Sequence, residues 1–240
     1  MLSSILSTVE SALAGDTPAE ISRRFFGVLA TQGATYLQTR LYRRPVSALT
    51  NMTHWNAGGV LARVSPASWV GSSAFNYICF EQNPLLGAIR EGRTRYRFSD
   101  FADFGDPHYA NYWDAMSEAG IADALCATSY GPDRTITSLH LGFDRRDFTA
   151  GEARSIHMAG LLLTERLMEF AEPLLEAPAL TSRERDAMAF VADGHTDWQI
   201  AERMKISEPT VRFHLGNARR KLGAVNRAQA VARFATYGLL

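Results

Sequence analysis

The sequence predicts an α+β protein: an N-terminal α/β/α sandwich on an antiparallel sheet, then a C-terminal domain of four helices. Three observations carry that reading. Two apolar runs, ALCATSY and TITSLHLGF, are joined by Gly131-Pro132-Asp133-Arg134, a strong turn signal, and so form a hairpin. Capping boxes at Thr17–Glu20 and Thr149–Glu152 open helices on both sides of the strand-forming segments. Beyond Leu180 the pattern turns wholly helical and the charge balance inverts: residues 1–177 hold 15 Lys and Arg against 19 Asp and Glu, while 178–240 hold 10 against 6.

The elements follow in order. MLSSILSTVESALAG lacks a basic leader and meets Glu10 within its apolar pattern, so it reads as an amphipathic helix and not a signal peptide. Pro18 stands at the first position of the next helix, which Gly33 ends. ATYLQTRLY is rich in β-branched and aromatic residues and reads as a strand, with a weaker strand around ALTNMTHW. SPASWVGSSAFNYICF reads as a helix from Ser65 or Pro66 until Asn83-Pro84, because a residue before proline is pushed out of the helical region. TRYRFSDF is extended, and its alternating Arg93, Arg95 and Arg97 are expected to face solvent, with binding of an anionic ligand as the alternative. DPHYANYWDAMSEAG is a helix stopped by Gly120, the hairpin follows, and a long helix from Thr149 closes the first domain.

These elements divide the 240 residues into a domain at 1–172, a linker at 173–179 (PLLEAPA) and a domain at 180–240. Cys79 and Cys126 are isolated, with no CxxC or Cys/His spacing, which argues against a disulfide framework or zinc site and fits a cytoplasmic protein. His140 and His157 have no ligand partner nearby in sequence, so no metal is expected. No apolar run approaches the roughly 20 residues of a membrane span. In the first domain the space between sheet and helices can hold a pocket. Trp69, Phe75, Tyr77 and Phe80, like Tyr112 and Trp113, suit either plain core packing or its wall.

In the second domain Thr181–Glu184 is a further capping box, and Gly194 breaks the helix it opens. A short helix, TDWQIAERM, is joined by KIS to a longer one starting at Ser207, and NRAQAVARFATYG forms the last. A short helix tightly joined to a longer basic one is the helix-turn-helix arrangement, whose second helix enters the major groove of DNA. Val211, Leu215 and Leu222 fall on the buried side, facing Ile200 and Met204. Arg212, Phe213, Gly216, Asn217, Arg219 and Arg220 fall on the other, with Thr210 near the helix N-terminus, where backbone donors favour a phosphate. Arginine pairs with guanine and asparagine with adenine, so Arg212 and Asn217 are the candidates for base edges, and Arg219, Arg220 and Lys221 for phosphates. Periodicity alone fits a solvated basic face as well as it fits DNA binding.

The whole segment from Leu180 onward resembles the DNA-binding domain of LuxR-type transcriptional regulators. The match comprises Leu180-Thr181-x-x-Glu184, Gly194, Ile200-Ala201, Ile206-Ser207-x-x-Thr210-Val211-x-x-His214, Lys221-Leu222 and Asn226-Arg227-x-x-Ala230, with Met188 in place of the usual leucine. Residues 1–177 contain no lysine, which argues against a phosphorylated receiver. Instead SPASWVGSSAFNYICFEQNP, RFSDF and AGIADAL are similar to the autoinducer-binding domain of quorum-sensing LuxR regulators. That resemblance implies a homodimer that binds an N-acyl-homoserine lactone, a near-palindromic double-stranded operator and the transcription machinery.

It also implies a pocket at Trp69, Phe75, Asn83, Pro84, Phe98, Trp113 and Ala124. Trp69 and Pro84 match the family; Asn83 replaces its aspartate, Phe98 a tryptophan and Ala124 a glycine. A neutral amide accepts a weaker hydrogen bond than a carboxylate, by roughly 1 kcal/mol. The effector is therefore a lactone or a related, non-lactone small molecule, with no cofactor. Two other readings stand beside this one. The pocket is closed by its own aromatic side chains and the regulator works without ligand, or the first domain is an acyl hydrolase, for which Gly71-Ser72 lacks the G-x-S-x-G context.

Overall fold

Helix α1, Pro18–Ala30, starts where its cap demands: the Thr17 side chain accepts the Glu20 N–H, and proline takes the first turn. The return bond of the box is displaced, the Glu20 carboxylate accepting from the N–H of Asp16 instead of Thr17. A computed structural model describes residues 9–45, 48–171 and 178–237, so the expected opening helix is seen only from Val9 and most of the expected linker lies outside the described residues. The chain splits into two units, Met1–Ala171 and Glu172–Leu240.

In the first unit β1 (Ala34–Arg43), β2 (Val60–Val64), β3 (Arg95–Arg97), β4 (Asp123–Tyr130) and β5 (Thr135–Phe143) form one sheet in the order β2-β1-β5-β4-β3. Every described pairing is antiparallel. Asp133 and Arg134, both at positive φ, make the turn of the β4–β5 hairpin. One sheet face carries Leu37, Leu125, Leu139, Leu141 and Phe143, which pack against Ile21, Phe25 and Leu29 of α1 and against Ile156, Leu163 and Leu167 of α6 (Ala150–Met168). Burial of apolar surface, worth about 25 cal/mol per Å², holds this layer together. Gly160 brings α6 close enough that an added Cβ would lie 2.9 Å from the Ala127 side chain.

The opposite face supports short helices: α2 (Asn51–Asn56), α3 (Ser73–Asn76), α4 (Leu86–Arg90) and α5 (Ala110–Glu118). Here three expectations are corrected. The segment expected as a strand around ALTNMTHW is helix α2, because Thr50 and Thr53 form a reciprocal capping box that competes with extension. The second strand is Val60–Val64, which Gly58 and Gly59, both at positive φ, turn back onto β1. The helix expected from Ser65 begins only at Ser73, since Gly71 adopts φ +87; it then widens into a π-helical turn over Tyr77–Glu81. Finally, Arg97 does not face solvent: its guanidinium is 2.8 Å from the fully buried carboxylate of Asp123.

The second unit contains α7 (Ser182–Ala192), α8 (Asp197–Met204), α9 (Glu208–Lys221) and α10 (Arg227–Thr236). Each starts at a side-chain cap, respectively Thr181, Thr196, Ser207 and Asn226. Lys205 takes the left-handed conformation at the end of α8, producing the tight turn into α9. Ala187, Ile200, Met204 and Val211 form one buried cluster, and Leu180, Met188, Ala218, Leu222 and Phe234 a second.

Candidate functional sites

Between the sheet and helices α2 to α5 lies a cavity of about 250 Å³. Its floor is the sheet: Tyr36, Gln38, Arg40 and Tyr42 of β1, Thr128 of β4, and Ser138 and His140 of β5. Its roof is largely apolar, with Trp69, Phe75, Ile78, Leu85, Leu86, Ile89, Phe98 and Met116. Trp69 and Phe75 meet edge to face at 5.8 Å, and Trp55 meets Phe75 in the same way at 5.6 Å, which fixes that wall. None of the lining residues is Asp or Glu.

Arg40 is the most unusual member, being a guanidinium only 5% exposed. Its Nε and Nη2 donate to the carbonyl of Gly58 at 3.0 and 2.6 Å, and Nη2 also donates to the carbonyl of His54 at 3.0 Å. Nη1 lies 2.5 Å from Nε2 of His54, and the guanidinium stacks 4.3 Å from the Tyr42 ring centre. A guanidinium can only donate, so Nε2 must accept and the His54 proton sits on Nδ1. That Nδ1 is buried without a hydrogen-bond partner among the described residues, as is the indole Nε1 of Trp69. Burial, reinforced by the Arg40 charge, lowers the His54 pKa to about 3 and that of His140 to about 4. His140 Nε2 lies 3.1 Å from the Tyr96 hydroxyl. Burial raises the Tyr36 phenol to about 12 and the Cys79 thiol to about 11, so both stay protonated.

Of the residues expected at a pocket, Trp69, Phe75, Asn83 and Phe98 line this cavity. Pro84, Trp113 and Ala124 are not among its lining. The Trp113 indole instead donates to the carbonyl of Ala102 at 3.2 Å, and Ala124 is fully buried within the core. Sequence reasoning missed Arg40 and His54. The signal was present as Gln38, Arg40 and Tyr42, a polar stripe alternating with Leu37 and Leu41, but alternation normally assigns such a stripe to solvent. Among the described residues no group of three or more His, Cys, Asp or Glu is placed to hold a metal.

In the second unit, α9 presents Arg212 and Phe213, both 64% exposed, together with exposed Arg219 and Arg220. Thr210, Gly216 and Asn217 are half-buried on its flank. The Ser207 cap accepts the Thr210 N–H, and the two hydroxyls are 2.8 Å apart. Several cations are already engaged. Arg212 reaches Glu208 at 2.9 Å and Asp197 at 3.4 Å, Arg227 holds Asp197 at 2.7 Å, and Arg220 donates to the Asn217 side-chain oxygen. Lys221, expected at a phosphate, spends its ammonium elsewhere: Nζ is 2.7 Å from the nearly buried Glu184 carboxylate and 3.0 Å from the carbonyl of Ala179. Glu184 also accepts the Thr181 N–H, so Lys221 ties the end of α9 to the start of α7.

Comparison with known proteins bears on the family and the fold. Residues 178–234 match the family described as bacterial regulatory proteins, luxR family. The transcriptional activator protein SolR of Ralstonia nicotianae is 30% identical over 197 residues, covering 79% of this chain and 74% of that protein. The quorum sensing-dependent transcriptional regulator RpaR of Rhodopseudomonas palustris is 28% identical over 238 residues, 98% of this chain and 94% of its own. The crystal structure of Escherichia coli SdiA superposes with a TM-score of 0.58 at 20% identity, covering 99% of this chain and 98% of SdiA, which shows the shared fold.

Proposed function

From the premise that the chain belongs to the luxR family of bacterial regulatory proteins, we propose that it is a ligand-responsive transcription regulator: the first unit binds a small molecule, and α9 of the second reads DNA. The observation that carries the sensing half is the cavity itself. About 250 Å³ stays open between aromatic walls, while His54 Nδ1 and Trp69 Nε1 are buried without hydrogen-bond partners among the described residues. Buried polar groups left unpaired are rare and point to a missing partner. An open cavity also favours this reading over a ligand-independent regulator whose own side chains close the pocket.

On the DNA side, Arg212 and Asn217 are assigned to base edges, Phe213 to apolar contact with a thymine methyl, and Thr210, Arg219 and Arg220 to phosphates. Lys221 is left out of the reading surface because it neutralises Glu184. A homodimer on a near-palindromic operator, with recognition helices about one helical turn apart, matches the way such motifs dock. The effector acts by favouring one of two arrangements of the protein, by no more than its difference in affinity for them. Two names that the relatives carry, quorum sensing-dependent regulator and transcriptional activator, support a diffusible signal and action on the transcription machinery.

The test is to purify the full chain from its native host, identify any co-purifying small molecule by mass spectrometry, and measure operator affinity before and after stripping it. A change in affinity that the re-added compound reverses supports the proposal. Identical affinity with the cavity emptied and filled contradicts it.

A further inference from the structure

Arg40 differs from three partly buried arginines of its unit that hold acids. Arg97 holds Asp123, Arg145 holds Glu152 and Arg166 holds Glu169, each within ion-pair distance. Among the described residues, no carboxylate lies within ion-pair distance of Arg40. A second arginine on the same sheet face, Arg63, donates to the neutral Gln38 side chain, at 2.9 and 2.8 Å. Its charge opposes that of Arg40. Charged side chains are almost never buried unless paired, and the cavity that Arg40 lines has no acid of its own.

The guanidinium is not fully occupied. Of its five N–H groups, Nε, both of Nη2 and one of Nη1 are used, on the carbonyls of Gly58 and His54 and on His54 Nε2. One Nη1 donor remains. Directly opposite Arg40 on β5 stands Ser138, and opposed positions in an antiparallel pair place their Cβ atoms about 5 Å apart. Ser138 is 6% exposed, lines the cavity, and its hydroxyl has no hydrogen-bond partner among the described residues. The sheet floor therefore carries an unspent Arg40 donor and, on the neighbouring strand, an unspent Ser138 hydroxyl, in a cavity that also holds an uncompensated positive charge and a largely apolar roof.

We infer that the cavity accepts a ligand bearing an ionised carboxylate, whose oxygens take the remaining Arg40 Nη1–H and the Ser138 hydroxyl while an apolar body packs against Trp69, Phe75, Ile78 and Phe98. This rests on the reading of the first unit as a small-molecule sensor and names the chemical class it senses. The carboxylate supplies the counter-charge that the protein itself withholds from Arg40. An uncharged lactone leaves that charge unmatched.

Isothermal titration of the full chain tests this with matched acid and amide pairs, octanoate against octanamide and cinnamate against cinnamamide, alongside N-octanoyl-homoserine lactone. At least one acid is expected to bind about ten- to hundredfold more tightly than its amide, the difference that a charge-assisted hydrogen bond makes. Arg40→Gln is expected to erase that preference. Should this variant fail to fold, the wild-type acid-to-amide ratio needs no variant, and Ser138→Ala is expected to cost the acid about three- to tenfold. An amide that binds as well as its acid overturns the inference. Binding of the lactone alone also overturns it, while leaving the sensor reading intact. Binding of none of the probes overturns it too, and the sensor reading is then decided separately by the co-purified molecule.

Discussion

Acidification should weaken the first unit in a narrow and calculable window. His54 and His140 are held neutral by burial and by Arg40, with pKa values of about 3 and about 4 in the folded chain. In the unfolded chain both return to about 6.5. The unfolded state therefore binds more protons wherever pH lies below about 6.5 and above the folded values, so stability is full above that point and is lost as pH falls. At pH 5.5 each unfolded histidine is about ten parts protonated to one neutral, which stabilises the unfolded state by about 1.4 kcal/mol per residue. The pair gives about 3 kcal/mol between pH 8 and pH 5.5, a large share of a typical folding free energy. His157, its pKa also lowered by burial, adds in the same direction. Urea unfolding followed by tryptophan fluorescence suits the assay, because Trp55, Trp69 and Trp113 report on this unit while Trp198, 57% exposed, belongs to the other. His140→Gln should remove about 1.4 kcal/mol of the pH dependence whatever it does to stability at pH 8. A stability that is flat from pH 8 to 5.5, or an unchanged slope in the variant, refutes the assignment of two buried neutral histidines.

Further outcomes follow from the same contacts. Lys221→Met strands the nearly buried Glu184 carboxylate and should destabilise the second unit by about 1–3 kcal/mol in chemical unfolding, with Lys221→Met/Glu184→Gln recovering much of the loss. Glu208→Gln removes one of the acids that Arg212 must leave on meeting DNA, and should tighten binding at low salt by about threefold, an effect that added salt erases. Gly160→Val drives a side chain into the 2.9 Å approach to Ala127 and should cost about 1–3 kcal/mol in thermal melts of the full chain.

How much of this was legible in the sequence depends on whether the deciding physics is local. The caps at Thr149, Thr181 and Ser207 are read within four residues, and their helices stand where the sequence puts them. The hairpin at Gly131 is equally local, since its turn chemistry is written into the turn. The ALTNMTHW segment misleads because β-branched threonines suggest a strand, while Thr50 and Thr53 spend their hydroxyls on each other's backbone and hold a helical turn. Lys221 and Glu184 lie 37 positions apart, so only the packing of α9 on α7 reveals that a cation suited to phosphate is tied down. Arg40 is hidden for a different reason. Period-two patterning separates the faces of a strand but cannot tell water from a cavity, and the polar stripe of β1 faces the latter.

The central claim is that α9 reads base sequence. Its most direct test selects binding sites from random duplex DNA with the purified full chain, then measures the affinity of wild type, Arg212→Ala and Asn217→Ala for the selected site and for unrelated DNA at fixed salt. The account predicts a near-palindromic site with half-sites about one helical turn apart. Each variant should lose about 1–3 kcal/mol on that site and little on unrelated DNA. Both variants binding the selected site as tightly as wild type would contradict it.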